Sequence, residues 1–237
     1  MSDQPNGLLA DLTPLKGTKL ADLRHLDLSN TKVTDAALVS FKECKKLRHL
    51  RLERTQVGDA GLAHFKDCKA LTTLDLQFMP VTDAGLIHFK DCKALTVLTL
   101  AWMNVGDAGL VHFQDCKDLT HLNLAARNVT DVGLAYFKNC KNLTGLDVAY
   151  TQVGDKGLAH FKGMPLTVLW IYGTGVTDLT PLQGMPLQDI RLTPKNISRG
   201  LDILRDMKSL KTIGIAWDQA WPAAEFWARY DKGEFKE

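Results

Sequence analysis

The sequence lacks any apolar run approaching the roughly 18 residues that a helix needs to cross a bilayer, so no membrane insertion is expected. Its start, MSDQPNGLLADLTPLKG, lacks the basic stretch and long apolar run of a secretory signal. It lacks an excess of either charge. The 29 Lys and Arg face 27 Asp and Glu, for a net charge of +2, which excludes a strongly basic nucleic-acid binder. It also lacks the phosphate-cradling G-x-x-x-x-G-K-[ST], the nucleophile elbow G-x-S-x-G and the zinc motif H-E-x-x-H. His25-Leu26-Asp27 echoes a kinase catalytic loop, but without the downstream Asn or a Gly-rich loop. With 45% apolar and 24% charged residues, the composition is that of a globular chain, not a disordered one.

What is present is a period. Cys44, Cys68, Cys92, Cys116 and Cys140 each follow the last by 24 residues. A fixed period of this length marks a stacked array of units, none of which can bury its apolar face alone. Units of 24 residues start at Leu23, Leu47, Leu71, Leu95 and Leu119. Shorter ones start at Leu143, Leu166 and Leu187, and a half-unit starts at Leu210. In the unit LTTLDLQFMPVTDAGLIHFKDCKA, Leu71, Leu74, Leu76 and Val81 occupy positions 1, 4, 6 and 11. The alternation of Leu74 and Leu76 predicts a short strand with one face buried. Leu86, Phe89 and Cys92, three apart, predict one face of a short helix. Asp83 at position 13 reads as the helix N-cap, as do Asp35, Asp59, Asp107, Asp131, Asp155 and Asp178 in their units.

L-x-x-L-x-L followed by an apolar position 11 resembles the leucine-rich repeat, over roughly residues 11–216. The half DAGLxxFxxC is similar to its cysteine-containing, ribonuclease-inhibitor-like subclass. AGLAHFKDCKALT and the ending IAWDQAWPAAEFWARYDKGEFKE resemble planctomycete repeat regions, some of them attached to serine/threonine protein kinases. The resemblance implies an α/β leucine-rich repeat solenoid: a curved parallel sheet on the concave face, short helices on the convex face and right-handed crossovers. One domain is expected over residues 1–237. Residues 1–22 form a degenerate cap carrying Leu8, Leu9, Leu12 and Leu15; residues 23–209 form eight repeats; residues 210–237 form the last half-repeat and a cap helix. One departure is position 9, where many members carry Asn or Cys. Here it holds Thr31, Thr55, Met79, Met103, Arg127, Thr151 and Thr174. Thr can hydrogen-bond within the loop, and the two Met cannot.

The cysteines share one inward position and read as small buried fillers with free thiols, which points to a reducing compartment, the cytoplasm. His64, His88, His112 and His160 share position 18, and the first three lie four residues before a Cys. A His/Cys metal or nucleophile site would look like this. Yet Ser40 and Tyr136 replace His while Cys44 and Cys140 remain. Partly exposed helix histidines are therefore expected, with no metal, cofactor or catalytic residue. Near the C-terminus, Trp217, Trp221, Phe226, Trp227, Tyr230 and Phe235 read either as a plug on the last repeat or as a docking tail.

Variation concentrates on the strand positions that face away from the core. Position 5 reads Asp27, Arg51, Asp75, Thr99, Asn123, Asp147, Trp170 and Arg191; position 8 reads Asn30, Arg54, Phe78, Trp102, Ala126, Tyr150, Gly173 and Pro194. Solvent-facing positions drift toward polar residues, whereas large exposed apolar patches mark interaction sites. Phe78, Trp102, Tyr150, Trp170 and Tyr172 are accordingly the expected aromatic centre of a protein-binding face, with Arg51, Arg54 and Asp75 as its polar rim. The function expected is a monomeric, non-catalytic scaffold for a protein partner. The alternative is a regulatory or sensor region of a bacterial serine/threonine kinase whose catalytic domain lies elsewhere.

Overall fold

The computed structural model describes residues 20–125 and 128–235. The expected N-terminal cap at Leu8, Leu9, Leu12 and Leu15, and Ala126 and Arg127, lie outside the described residues. The chain divides into two compact units, Met1–Asp118 and Leu119–Glu237, with the boundary at the start of a repeat.

In the first unit, strands β1 (His25–Asp27), β2 (His49–Arg51), β3 (Thr73–Asp75) and β4 (Val97–Thr99) pair in parallel, in a register that matches like positions of successive repeats. Helices α1 (Asp59–Leu62), α2 (Asp83–Leu86) and α3 (Asp107–Leu110) each run on into a 3-10 turn. The second unit continues with β5 (His121–Asn123), β6 (Gly145–Asp147), β7 (Val168–Trp170), β8 (Asp189–Arg191) and β9 (Thr212–Gly214), also parallel. Its helices are α4 (Asp131–Ala135), α5 (Asp155–Ala159) and α6 (Leu201–Arg205). This is the expected α/β repeat solenoid. Positions 4, 6, 11, 16, 19 and 22 of the regular repeats are buried, including the ladder Phe41, Phe65, Phe89, Phe113, Phe137 and Phe161.

The repeated aspartates do not do what a first-turn carboxylate suggests. Each helix begins at the Asp, and the N-cap is the Gly or Thr before it. Thr82 and Thr130 cap with their own hydroxyls, which accept from Ala84 N–H at 3.3 Å and Val132 N–H at 3.1 Å. The carboxylates instead reach across to the next repeat. Gly58 N–H donates to Asp35 at 2.7 Å, Thr82 N–H to Asp59 at 2.9 Å, Gly106 N–H to Asp83 at 2.8 Å and Gly154 N–H to Asp131 at 2.7 Å. Thr82 and Thr177 add hydroxyl donors, to Asp59 at 2.7 Å and Asp155 at 2.8 Å. Each thus satisfies the helix N-terminus of its neighbour, where free N–H groups and the helix dipole favour negative charge. Asp178 serves its own repeat, accepting from Thr180 N–H at 2.8 Å, and also pairs with Arg199 of the next at 3.5 Å.

This reach explains the glycine at position 15. A Cβ on Gly61, Gly85, Gly109 or Gly157 would stand 2.3–2.5 Å from the carboxylate oxygen of the preceding repeat's Asp. The cysteines are likewise more than fillers. All five are buried with free thiols. The thiols of Cys68, Cys92 and Cys116 donate to the carbonyls of Cys44, Cys68 and Cys92 at 3.3, 3.5 and 3.4 Å. At position 9, Thr31, Thr55, Thr151 and Thr174 donate to the position-6 carbonyl of their own repeat at 2.5–2.9 Å. Met79 and Met103 are buried there and leave that bond unmade, as expected.

At the C-terminus, β10 (Ala220–Pro222) turns back antiparallel along β9, a strand the sequence pattern did not reveal. Helix α7 (Ala223–Asp231) follows. Phe226 and Phe235 are buried and stack at 4.9 Å, and Trp221 packs 5.4 Å from Phe235. Arg229 lies over Trp221, and Arg205 of α6 pairs with Asp231 at 2.6 Å. These aromatics form the plug. Trp217 does not join it and is 69% exposed.

Two outcomes test this framework. Gly85→Ala should destabilise the protein by about 1–3 kcal/mol in urea unfolding, because the added methyl overpacks the site. Combining it with Asp59→Ala should cost less than the sum of the single changes, since the second removes the atom the methyl strikes. Burial pushes the Cys68 and Cys92 thiols up to about 12, so at neutral pH all five cysteines should label with a thiol reagent only on unfolding.

Candidate functional site

The strand face away from the core carries the residues in question, and its geometry follows from the turn after each strand. Position 8 adopts the left-handed backbone region in repeat after repeat: Asn30 has φ 60°, Arg54 53°, Phe78 56°, Trp102 59°, Tyr150 57° and Gly173 68°. Gly and Asn enter this region easily; a bulky side chain there is an outlier and costs about 1–2 kcal/mol. Phe78, Trp102 and Tyr150 hold it nonetheless, and are 40%, 45% and 42% exposed.

In the first unit, Phe78 and Trp102 lie nearly parallel, 7° apart in plane with centroids 6.2 Å apart. Arg54 closes the stack, its guanidinium 4.5 Å from the Phe78 centroid. Arg54 also pairs with Glu53 at 3.2 Å, and the exposed Arg51 with Asp27 at 3.8 Å. Asp75 was expected on the rim and is instead buried, its carboxylate accepting from Gln77 N–H at 3.3 Å. Burial raises its pKa. At position 3, His25 and His49 stack at 4.3 Å, a pair the sequence reading passed over. Desolvation first, then the neighbouring His25 and Arg charges, lower the pKa of His49.

In the second unit the aromatic residues take three different roles. Tyr150 is exposed and crosses above Gly173, where a Cβ would stand 2.5 Å from its ring. Tyr172, expected to be exposed, is buried: it occupies position 7, beneath Tyr150, with the rings edge to face at 5.0 Å. The same position holds the buried Ala101, Ala125 and Ala149 in earlier repeats, a signal that it lies under cover. Trp170 is half-buried, donates to Asp189 at 2.7 Å and stacks under Arg191, whose Cζ lies 4.3 Å from its centroid. Arg191 in turn holds the loop that carries Trp217, donating to the carbonyls of Ala216 and Trp217. Trp217 is thus a further exposed aromatic beside the strands, which its place in the terminal aromatic cluster concealed.

Asp147, at position 5 of β6, accepts from Ala149 N–H at 2.9 Å. Burial pushes its carboxyl up to about 6, against the opposing pull of that hydrogen bond and of Arg191. On the helix side, His64, His88 and His112 are half-buried and His160 is exposed. Among the described residues no group of three or more His, Cys, Asp or Glu could hold a metal ion. None of the described helices is long and apolar enough to cross a membrane.

A family model described as a BspA type leucine rich repeat region matches residues 19–148 in six copies, and a leucine rich repeat model matches residues 139–161. No curated relative matches the chain. Solved structures share the fold. An internalin (inlF) from Listeria monocytogenes superposes with TM-score 0.62 at 22% identity, over 78% of this chain and 58% of its own. Internalin C2 from the same organism gives 0.59 at 20% identity, over 73% and 82%. The plant peptide hormone receptor RGFR1 in complex with RGF2 gives 0.54 at 18% identity, over 81% and 32%.

The raised carboxyl of Asp147 has a measurable consequence. Its native pKa lies above the unfolded value of 3.8, so the native state holds the extra proton in that window and stability falls as pH rises through it. Asp147→Asn should be about 1–2 kcal/mol more stable than wild type at pH 7, with the difference vanishing near pH 4. Chemical denaturation at the two pH values measures it; equal stability at pH 7 would mean that the carboxylate is well solvated.

Proposed function

The chain belongs to the leucine-rich repeat family, as a BspA-type repeat region, and from that premise we propose that it is a non-catalytic scaffold that holds a protein partner against the strand face, the concave side of the solenoid. The observation that carries this reading is the row of exposed aromatic rings at position 8, each on a left-handed backbone that disfavours it. Gly173 shows that the turn itself is satisfied by glycine. Retaining Phe, Trp and Tyr there costs local stability and exposes apolar surface, and both costs are offset when a partner covers the rings. A stacked Phe78–Trp102 centre beside Arg51 and Arg54 has the composition in which protein interfaces concentrate their affinity. The similar plant receptor was solved with RGF2 bound, which supports the repeat framework as a partner-holding one. The face is built of stacked rings, ion pairs and turn hydrogen bonds, an arrangement suited to holding a partner.

Replacing Trp102 by Gly separates the two contributions. Binding of the partner recovered from the source cell should weaken by about 2 kcal/mol or more. Stability should change by no more than about 1 kcal/mol, because relief of the left-handed backbone offsets the lost stacking and glycine's greater unfolded-state freedom. Lys45→Ala, in an exposed loop after the helical half of its repeat, should leave binding unchanged. Calorimetry of the complex and urea unfolding read the two effects; wild-type affinity in Trp102→Gly would sink the aromatic-centre reading.

A further inference from the structure

The first two strands depart from a pattern that later repeats keep. At position 2, Thr72, Thr96, Thr144 and Thr167 each donate a hydroxyl to the position-2 carbonyl of the preceding repeat at 3.1 Å. Arg24 and Arg48 hold that position immediately before β1 and β2. They stand side by side in the ladder, the Arg24 carbonyl accepting from Arg48 N–H at 2.8 Å and His49 N–H at 3.0 Å. A threonine at 48 would serve the fold as it does in later repeats, so the ladder does not call for arginine. At position 3, His25 and His49 are in register and their rings stack at 4.3 Å, 7° apart in plane. The next two repeats have Thr73 and Val97 there.

This end of the chain is locally cationic. Residues 20–54 carry eight Lys and Arg against five acids, a larger excess than the net +2 of the whole chain. The five acids are engaged elsewhere. Asp22 is held by Lys46 at 2.6 Å, Asp35 by Gly58 N–H, Glu43 by Lys45 at 3.6 Å and Glu53 by Arg54 at 3.2 Å. Asp27 accepts from Ser29 N–H at 3.0 Å and faces Arg51 at 3.8 Å. From β3, Thr73 lies 3.1 Å from His49 Nδ1, and Asp75 is buried against Gln77 N–H. Among the described residues Arg24 and Arg48 make no ion pair, and both are exposed, as His25 is. Like charges on neighbouring strands repel, and two stacked imidazoles cannot both be protonated without the same penalty. One thing relieves both, an anion laid across the start of the two strands.

We propose that Arg24, His25, Arg48 and His49 form a docking site for a short run of acidic side chains, aspartates or glutamates, on the protein partner. A planar guanidinium matches a carboxylate with two parallel hydrogen bonds. The inference rests on the reading of the strand face as the binding surface, and it adds the chemistry and direction of the partner segment. Arg54 joins this site to the rings, its guanidinium lying 4.5 Å from the Phe78 centroid. The acidic run therefore adjoins the apolar segment that covers Phe78 and Trp102. The site spans two strands about 4.8 Å apart, which suits a few carboxylates and not the long phosphate track of a nucleic acid.

The full chain, labelled with nitrogen-15, is titrated with N-acetyl-tetraglutamate amide. The tetraglutamine counterpart is the uncharged control, and a thymidine oligonucleotide of equal charge tests for a nucleic acid. The acidic peptide should shift the His49 amide and the guanidinium Nε–H signals of Arg24 and Arg48 saturably, with a Kd on the order of a millimolar. Arg48→Thr, which installs the residue used by later repeats, should weaken binding roughly fivefold. Lys90→Ala, an exposed cation at the end of a helical segment, should leave it unchanged. Burial first, then the charges of His25, Arg48 and Arg51, hold the His49 pKa below its usual value, and a bound anion opposes that depression. Glutamates stay ionised at pH 6, so binding roughly threefold tighter at pH 6 than at pH 7.5 reports the imidazoles, and it should vanish when His25→Thr and His49→Thr are combined. Thermal melts verify that the variants are folded. Equal shifts from tetraglutamine, affinity that survives Arg48→Thr, tighter binding of the oligonucleotide, or a pH effect that persists without the histidines would overturn the proposal. If the acidic peptide does not bind while Trp102→Gly still loses the partner, the acidic docking site fails and the strand-face reading stands.

Discussion

The interaction on which the rest of the structure depends is the hydrogen bond from the N-cap amide of one repeat to the aspartate of the repeat before it. It joins chemistry at three positions. The carboxylate at position 13 accepts it, the Gly or Thr at position 12 donates it, and the glycine at position 15 leaves the space through which the carboxylate passes. A charged acceptor on a backbone N–H at a helix start is a strong form of hydrogen bond. It repeats in step with the Phe, Leu and Cys ladders, so apolar stacking and polar register agree. The short helices have too few residues to be stable alone. They exist because each receives its first-turn partner from the neighbour.

With register held from the helix side, the strand side is released from that duty. Positions 5 and 8 differ between repeats while positions 4, 6 and 11 hardly change, because only the latter touch the core. The architecture thereby tolerates local costs: a left-handed Trp, a desolvated Asp. In an array, stability is a sum over neighbouring interfaces, and a penalty of about 1–2 kcal/mol at one turn is spread against many inter-repeat contacts. The costs fall on the same face, at the residues with the largest rings and the least solvated carboxylates.

The period and the core were legible in the sequence because burial recurs at fixed positions: Leu74, Leu76, Phe89 and Cys92 say where the inside is without any knowledge of the neighbours. The role of Asp83 was not, since a carboxylate in a helix's first turn looks the same whether it serves its own amides or those of the next repeat. The glycine two residues on carried the missing information. A conformational role for Gly85 would need a positive φ, whereas a helical glycine next to a conserved-volume core points to something passing close by. Tyr172 lies inside because position 7 belongs to the turn, where the strand's in–out alternation no longer holds; the buried alanines at that position in the three repeats before it carry the same signal. The terminal strand β10 was hidden because Pro222 reads as a helix start and the three residues before α7 are too few to show alternation.

The two units of the strand face differ in kind. Around Phe78 and Trp102 the neighbours are Arg51 and Arg54, both exposed and both already weakly paired with acids on their own surface. Such exposed pairs exchange partners at little cost, so on the proposed reading they would orient a partner more than hold it. Around Tyr150 the charge is the half-buried carboxylate of Asp147, which already holds the Ala149 N–H. The rings at 78 and 102 reward any apolar surface that covers them. On the proposed reading, contact area comes from the stacked rings of the first unit, because covering them removes exposed apolar surface from water.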